Sequence, residues 1–494
     1  MSQVRDLKKA GLKGSFWNFL TTIIGQLRNF VISIVLARLL TPSDFGIISI
    51  ALVFNSVLNI LIDFGFSNAI IQKKEVSEVQ KSTVFYINIG IGAIFTCGMF
   101  FCAPLMVRFF EMPELNKVIK FTSFSFILGS LGTLQSALFN KNLNFKSPFQ
   151  ARFISSIMSG ALGILLALMG YGVWALVFSN LAAWTLNSSI IWFLSDWRPK
   201  LIFDFSSVKS LWSYGWKMTA TTFINRIFKQ IDIFIIGRIF SAASLGLFNR
   251  AQSLNNLVID YSFSSIKGVL LPTFSKLQDD KMAFRNSVIK LIEIICFINF
   301  LFSGLMYVTA NDLILFLYGD KWIGAISFYK ILAFFSLTLS LPILYDTILS
   351  SLGQMNLYFN VSLLRKPLVL LSIPIGLFCN IYTYIWTLNI AYALGFIPYF
   401  WSAKKCIGLS FKVQIVSILK YFIPFLICII INKIWSFTYS YYIVNLIINA
   451  SICLIVYIIY NKIFKYYGYL QCKALICNIL YKAKILHPKP DKAN

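Results

Sequence analysis

A few ionisable side chains stand inside long apolar stretches of this 494-residue chain, and any chemistry has to be sought there first. Arg28 interrupts the first such stretch, and Arg226, Lys229 and Asp232 follow one another at three-residue intervals in a later one. On a helix, that spacing keeps neighbours on one broad face. Arg250 and Lys330 add positive charge in two further stretches. A charge at the middle of a membrane-spanning helix costs at least about 2.5 to 3.5 kcal/mol on insertion scales, so it is retained where it faces a water-filled cavity or a partner. Such cations suit a phosphate-bearing ligand, arginine through paired planar donors and lysine as a compact charge. Plainer readings stand beside this one: Lys229 and Asp232 neutralise each other, and Arg250 and Lys330 extend to the surface. Asp63 and Asp260 are placed either to bind a coupling proton or Na⁺ or to cap and pack helix ends.

Other chemistries find little support. The nine cysteines lie mostly within apolar runs and lack metal-ligand spacing, and the only histidine is His487 in the tail, so neither a disulfide framework nor a metal site is expected. No phosphate-binding glycine loop or Ser/His/Asp pattern stands out, so no catalytic residue and no bound cofactor are predicted. The formal charge of +26 comes from small Lys/Arg clusters between apolar runs with no continuous basic face, which argues against nucleic acid as a partner.

The elements that position these residues are membrane helices. Apolar residues make up 58% of the chain and charged ones 13%, with a mean hydropathy of +0.75, whereas soluble domains are about 25% charged. Runs near the roughly 20 residues needed to cross a bilayer fall at 16–37, 45–70, 84–107, 119–139, 152–171 and 173–194. Six more fall at 212–237, 245–271, 287–309, 325–350, 359–378 and 381–401, and a final pair at 415–432 and 440–461. The expected fold is an all-α integral membrane protein of about fourteen helices. The basic start, Met1 to Gly14, leads into a full-length apolar run with no small-residue cleavage site, so the first span is expected to be retained. Lys/Arg clusters mark every second connection, among them Lys73, Lys74 and Lys81, then Lys141, Lys146 and Arg152, and later Lys404, Lys405 and Lys412. By the positive-inside rule these connections and both termini are cytoplasmic.

An offset of 200 residues pairs Ala37-Arg38-Leu39-Leu40-Thr41 with Gly237-Arg238-Ile239-Phe240-Ser241, Gly46 with Gly246, and Asn55 with Asn255. After a three-residue slip, Ile62-Asp63-Phe64-Gly65 meets Ile259-Asp260-Tyr261-Ser262. Arg, Gly, Asn and Asp are scarce here, so these matches point to duplication. An even number of spans per copy relates the copies by an axis along the membrane normal. The expected organisation is an N-terminal lobe at 1–200, a second lobe at 201–410, and a last helix pair with a basic tail at 411–494.

The run Ala37-Arg38-Leu39-Leu40-Thr41-Pro42-Ser43-Asp44-Phe45-Gly46, with Asp63-Phe64-Gly65, Ile70-Ile71-Gln72, Asn140-Lys141-Asn142-Leu143-Asn144-Phe145-Lys146 and Gly319-Asp320-Lys321-Trp322, resembles bacterial polysaccharide transporters. These are the O-antigen and exopolysaccharide flippases of the multidrug/oligosaccharidyl-lipid/polysaccharide exporter superfamily. The resemblance implies two pseudo-symmetric six-helix lobes plus a final pair, alternating access, and an undecaprenyl-pyrophosphate-linked oligosaccharide as cargo. It also implies a bacterial inner membrane location, with membrane lipids and the polysaccharide polymerase and export machinery as partners. On that reading Arg28, Arg226, Lys229, Arg250 and Lys330 form a cationic cavity for the cargo, and Asp63, Asp232 and Asp260 are candidates for ion coupling. Asn55 and Asn255 either contact sugar hydroxyls or join helices by hydrogen bonds. The alternatives are a multidrug antiporter of the same superfamily, for which an acidic cavity is expected, and a membrane glycosyltransferase or ligase, which needs catalytic carboxylates or a large external loop.

Overall fold

The computed structural model describes residues 25–435 and 441–482, with the side chains of some helical positions, Asp260 among them, outside the description. The start of the first expected span and both termini also lie outside it. The chain is helical throughout this range, and each expected span coincides with one or two helices. These are α1 (25–39), α2 (Pro42–Ile62), α3 (Phe66–Gln72), α4 (Glu78–Phe110), α5 (Leu115–Lys141), α6 (Lys146–Leu168) and α7 (Val173–Leu194). They continue with α8 (Phe205–Ile239), α9 (Ala242–Leu277), α10 (Lys281–Val308), α11 (Ala310–Tyr318), α12 (Ala325–Phe334) and α13 (Leu337–Ser351). The remainder are α14 (Met355–Leu370), α15 (Ser372–Phe378), α16 (Ile381–Leu394), α17 (Phe396–Ile407), α18 (Phe411–Ile434), α19 (Tyr442–Ile463) and α20 (Tyr467–Lys482). Among the described residues, nine helical segments are long and apolar enough to cross a membrane.

The duplicated signature is a helix-start device. Thr41 Oγ1 accepts from the Asp44 amide at 3.3 Å while the Asp44 carboxylate accepts from the Thr41 amide at 2.9 Å, a capping box with Pro42 at the first helical position. In the second copy Ser241 takes the same part, its hydroxyl accepting from the Ser244 amide at 3.1 Å. The copies then differ. The span expected over 45–70 is broken, because α2 ends at Ile62 and Phe64 and Gly65 take positive φ of 44° and 77° before α3 begins. Glycine alone visits that region without steric cost. Where the first copy has Gly65 the second has Ser262, and α9 continues through.

The helices fall into two compact units, residues 1–249 and 250–494, the division lying within α9. In the first, α5 packs against α2, α3, α4 and α7, and α8 lies along α2, α3 and α4. Helices approach through small residues, as membrane helices do where no hydrophobic force drives them together. A side chain at Gly132 would meet Ser188, and one at Gly163 would meet Ser179. Hydrogen bonds fasten the same seams: Ser188 Oγ donates to Leu128 O at 2.6 Å and Trp192 Nε1 to Leu131 O at 2.7 Å. The second unit is built on α10, which contacts α12, α13, α18, α19 and α20. Its core includes Phe297, Phe300, Tyr345, Tyr421, Phe425 and Tyr457.

Candidate functional site

The first-unit cations are held by different elements. Arg28 reaches from α1 to the second turn of α6, its Nη1 donating to the carbonyls of Arg152 and Phe153 at 3.3 Å each, with its guanidinium 5.7 Å from the Phe153 ring. Carbonyls two turns from a helix end are normally occupied within the helix, so Arg28 is a second donor there and bridges α1 to α6. On α8, Arg226 is half-buried and Lys229 exposed, while Asp232 one turn on is buried at 5% exposure. Gln230, between them, donates to Ser56 Oγ on α2 at 2.9 Å. Arg238, at the end of α8, pairs with Glu111 at 3.0 Å.

In the second unit, Arg250 is placed beside Tyr318. Lys330 sits 5.8 Å from the Tyr307 ring, with Asp312 also near it. Asp312 in turn accepts from Asn449 Nδ2 at 3.3 Å. Asn55 is buried and donates to Thr122 O at 3.2 Å, joining α2 to α5. Asn255 is fully buried. Asp63 accepts from the Ser67 amide at 3.0 Å and from its hydroxyl at 2.7 Å, which caps the start of α3. The side chain of Asp260 lies outside the described residues.

Two polar clusters escape sequence reasoning. On α10, Glu293 is buried and pairs with Lys420 of α18 at 2.6 Å, and Tyr421 donates to its other oxygen at 3.3 Å. The Tyr421 hydroxyl also accepts from the Gly468 amide at 3.0 Å, so one cluster ties α10, α18 and α20 together. Elsewhere the Tyr399 hydroxyl donates to Asp346 Oδ1 at 2.7 Å and accepts from Arg365 Nη1 at 2.8 Å, linking α13, α14 and α17. A carboxylate within an apolar run is the available signal for Glu293, yet its partner is 127 residues away.

Comparison with known proteins follows the same lines. A family model described as "Polysaccharide biosynthesis protein" matches residues 35–327. The chain is 27% identical over 380 residues to the lipopolysaccharide biosynthesis protein WzxC of Escherichia coli, covering 75% of this chain and 76% of that one. It is 24% identical over 430 residues to the teichuronic acid biosynthesis protein TuaB of Bacillus subtilis, covering 85% and 87%. Among solved structures, the lipid II flippase MurJ in an inward closed conformation superposes with a TM-score of 0.70 over 92% of this chain and 98% of that one, at 17% identity. An inward-facing multidrug resistance transporter of the MATE family gives a TM-score of 0.63 at 12% identity, covering 80% and 98%.

Proposed function

We propose that this chain, which belongs to the polysaccharide biosynthesis protein family, is a flippase that carries a lipid-linked oligosaccharide across the membrane for surface polysaccharide assembly. The family match over more than half of the chain carries this reading, and the full-length likeness to the lipid II flippase fold supports it. The cargo chemistry assigned here is an undecaprenyl-pyrophosphate head bearing a sugar repeat, with the lipid tail remaining in the bilayer. Arg28, Arg226 and Lys229 are the residues we assign to the pyrophosphate. Arg250 and Lys330 are assigned to acidic parts of the cargo, and Asp63, Asp232 and Asp260 to a coupling H⁺ or Na⁺. The cycle we envisage alternates between the lobes at 1–200 and 201–410, with the polymerase and export machinery receiving the product.

The deciding measurement is made in the host. Deleting the gene should cause polyprenyl-linked glycans to accumulate, as seen by mass spectrometry; unchanged glycans together with unchanged surface polysaccharide would sink the reading. A charged hydrogen bond contributes about 1.5 to 3 kcal/mol, so losing one of the three cations should weaken apparent cargo affinity about tenfold to a hundredfold. The Arg28→Ala/Arg226→Ala/Lys229→Ala variant should insert at normal levels and fail to export, and wild-type export by it would remove these residues from the site. Orientation is tested separately. Single cysteines at Gly172 or Asn311 should react with an impermeant reagent added outside, and ones at Lys74 or Lys405 should not; the reverse pattern inverts the topology.

A further inference from the structure

The α3–α4 connection, the end of α5 and the α7–α8 connection border an open cavity of about 930 Å³ that none of the assigned cargo residues lines. Lys73 and Lys74 of the α3–α4 connection, Lys81 of α4 and Lys141 of α5 border it, beside the carboxylates of Glu75 and Asp196. One of the family-like stretches reaches it, since Lys141 and Asn142 belong to the Asn140–Lys146 run. Lysines that only orient a membrane protein need do no more than occupy a loop. Two of them are fixed in place, and Lys81 is paired with Glu78 at 2.7 Å. Lys141 Nζ donates to Lys73 O at 2.7 Å, and Lys73 Nζ donates to Gln80 Oε1 at 3.1 Å. Gln80, itself buried, donates to Ser207 O at 2.7 Å, and Trp197 Nε1 donates to Glu78 Oε2 at 2.9 Å, closing the far wall. The first turn of α4, whose dipole is positive, also borders this cavity at Ser77, the residue whose hydroxyl caps the Gln80 amide at 3.2 Å. Lys141, beyond the apolar part of α5, has its ammonium held below the ordinary lysine range, first by partial burial and then by the neighbouring charges of Lys81 and Lys73, with Glu75 opposing. A bound anion relieves that crowding.

We propose that this cavity binds a phosphate group carried on a sugar or other polyol. Several compact ammonium groups around one space match phosphate oxygens. The volume is in the range of about 300 to 1,000 Å³ that accommodates a ligand of many atoms, well beyond bare phosphate. Trp197 and Phe139 supply apolar faces for the remainder. Such a group is presented by an anionic lipid head or by a soluble sugar phosphate, and on the orientation assigned above the cavity faces the cytoplasm.

The test uses the full chain in phosphatidylcholine nanodiscs at constant ionic strength and reads acylation of individual lysines by mass spectrometry, with exposed Lys412 as the reference outside the cavity. Added inorganic pyrophosphate, or replacement of part of the lipid by phosphatidylglycerol, should slow acylation of Lys74 and Lys141 several-fold relative to Lys412. Protection by pyrophosphate identifies a soluble phosphate source, and protection only in phosphatidylglycerol discs identifies the lipid head. K74Q should shift the concentration needed for half-protection of Lys141 about tenfold, the loss of one charged contact. Unchanged acylation in both arms, or equal slowing at Lys412, overturns the proposal. Because the reading is made on the wild-type protein and does not involve export, its failure is separable from failure of the flippase assignment.

Discussion

Gly46→Val and Gly246→Val should each lower the melting temperature of the purified protein and suppress export, for the same reason seen from two sides. A Cβ at Gly46 would lie 1.8 Å from the Ala242 carbonyl oxygen, and one at Gly246 would lie 1.8 Å from the Pro42 carbonyl oxygen. Each duplicated glycine thus abuts the start of the helix that bears the other. The obstructing atoms are backbone, which cannot swing aside as a flexible side chain can, so the helix starts must separate. Overpacking of a fitted interior costs typically about 1 to 3 kcal/mol, and the Thr41–Asp44 capping box and the Ser241 cap that fix these starts leave little freedom to absorb the shift. Gly98→Ala is the control: no atom lies within 4 Å of a Cβ there, and alanine within a helix should be neutral or gain about 0.5 to 1 kcal/mol. A Gly46→Val/Gly246→Val protein with wild-type melting and wild-type export would show that this contact is incidental.

The repeat was legible in the sequence because its matching residues serve backbone needs: a capping hydroxyl at Thr41 and Ser241, and a glycine five residues later at each helix crossing. Hydropathy located the spans for a similar reason, since crossing lipid requires an apolar run whatever it packs against. It missed the break after Ile62 because Phe64 is apolar and a sliding count passes over the one glycine that permits the turn. Partners were not legible. Arg28 is answered by main-chain carbonyls of Arg152 and Phe153, and Asn55 by the carbonyl of Thr122, groups every residue carries and no motif can advertise. The lysines at 73, 74, 81 and 141 read only as orientation signals, since their convergence depends on how α5 folds back beside α4.

Lys420→Met should be among the most damaging single substitutions in the second unit, and Glu293→Met should rescue much of the loss. Glu293 has a side chain only 8% exposed, and its charge is answered by Lys420 at 2.6 Å, with the Tyr421 hydroxyl as a weaker donor at 3.3 Å. Removing one partner of a buried pair leaves an uncompensated charge and costs about 3 to 5 kcal/mol, whereas replacing both by apolar groups of similar volume is often neutral. Lys420 is one-third exposed, so the pair is only partly enclosed by protein, and the expected loss is at the low end of that range, about 3 kcal/mol. A double-mutant cycle of Glu293→Met, Lys420→Met and both together, followed by thermal unfolding in detergent, should therefore give a coupling energy well above the roughly 0.2 to 1 kcal/mol of exposed pairs. Additive losses in the double variant would mean that the two side chains stabilise the helices by packing alone. Export separates structure from chemistry in the same set of proteins. A double variant that regains its stability and its transport assigns the pair to holding α10 against α18 and α20. One that regains stability but not transport makes the charged pair of Glu293 and Lys420 a requirement of the cycle.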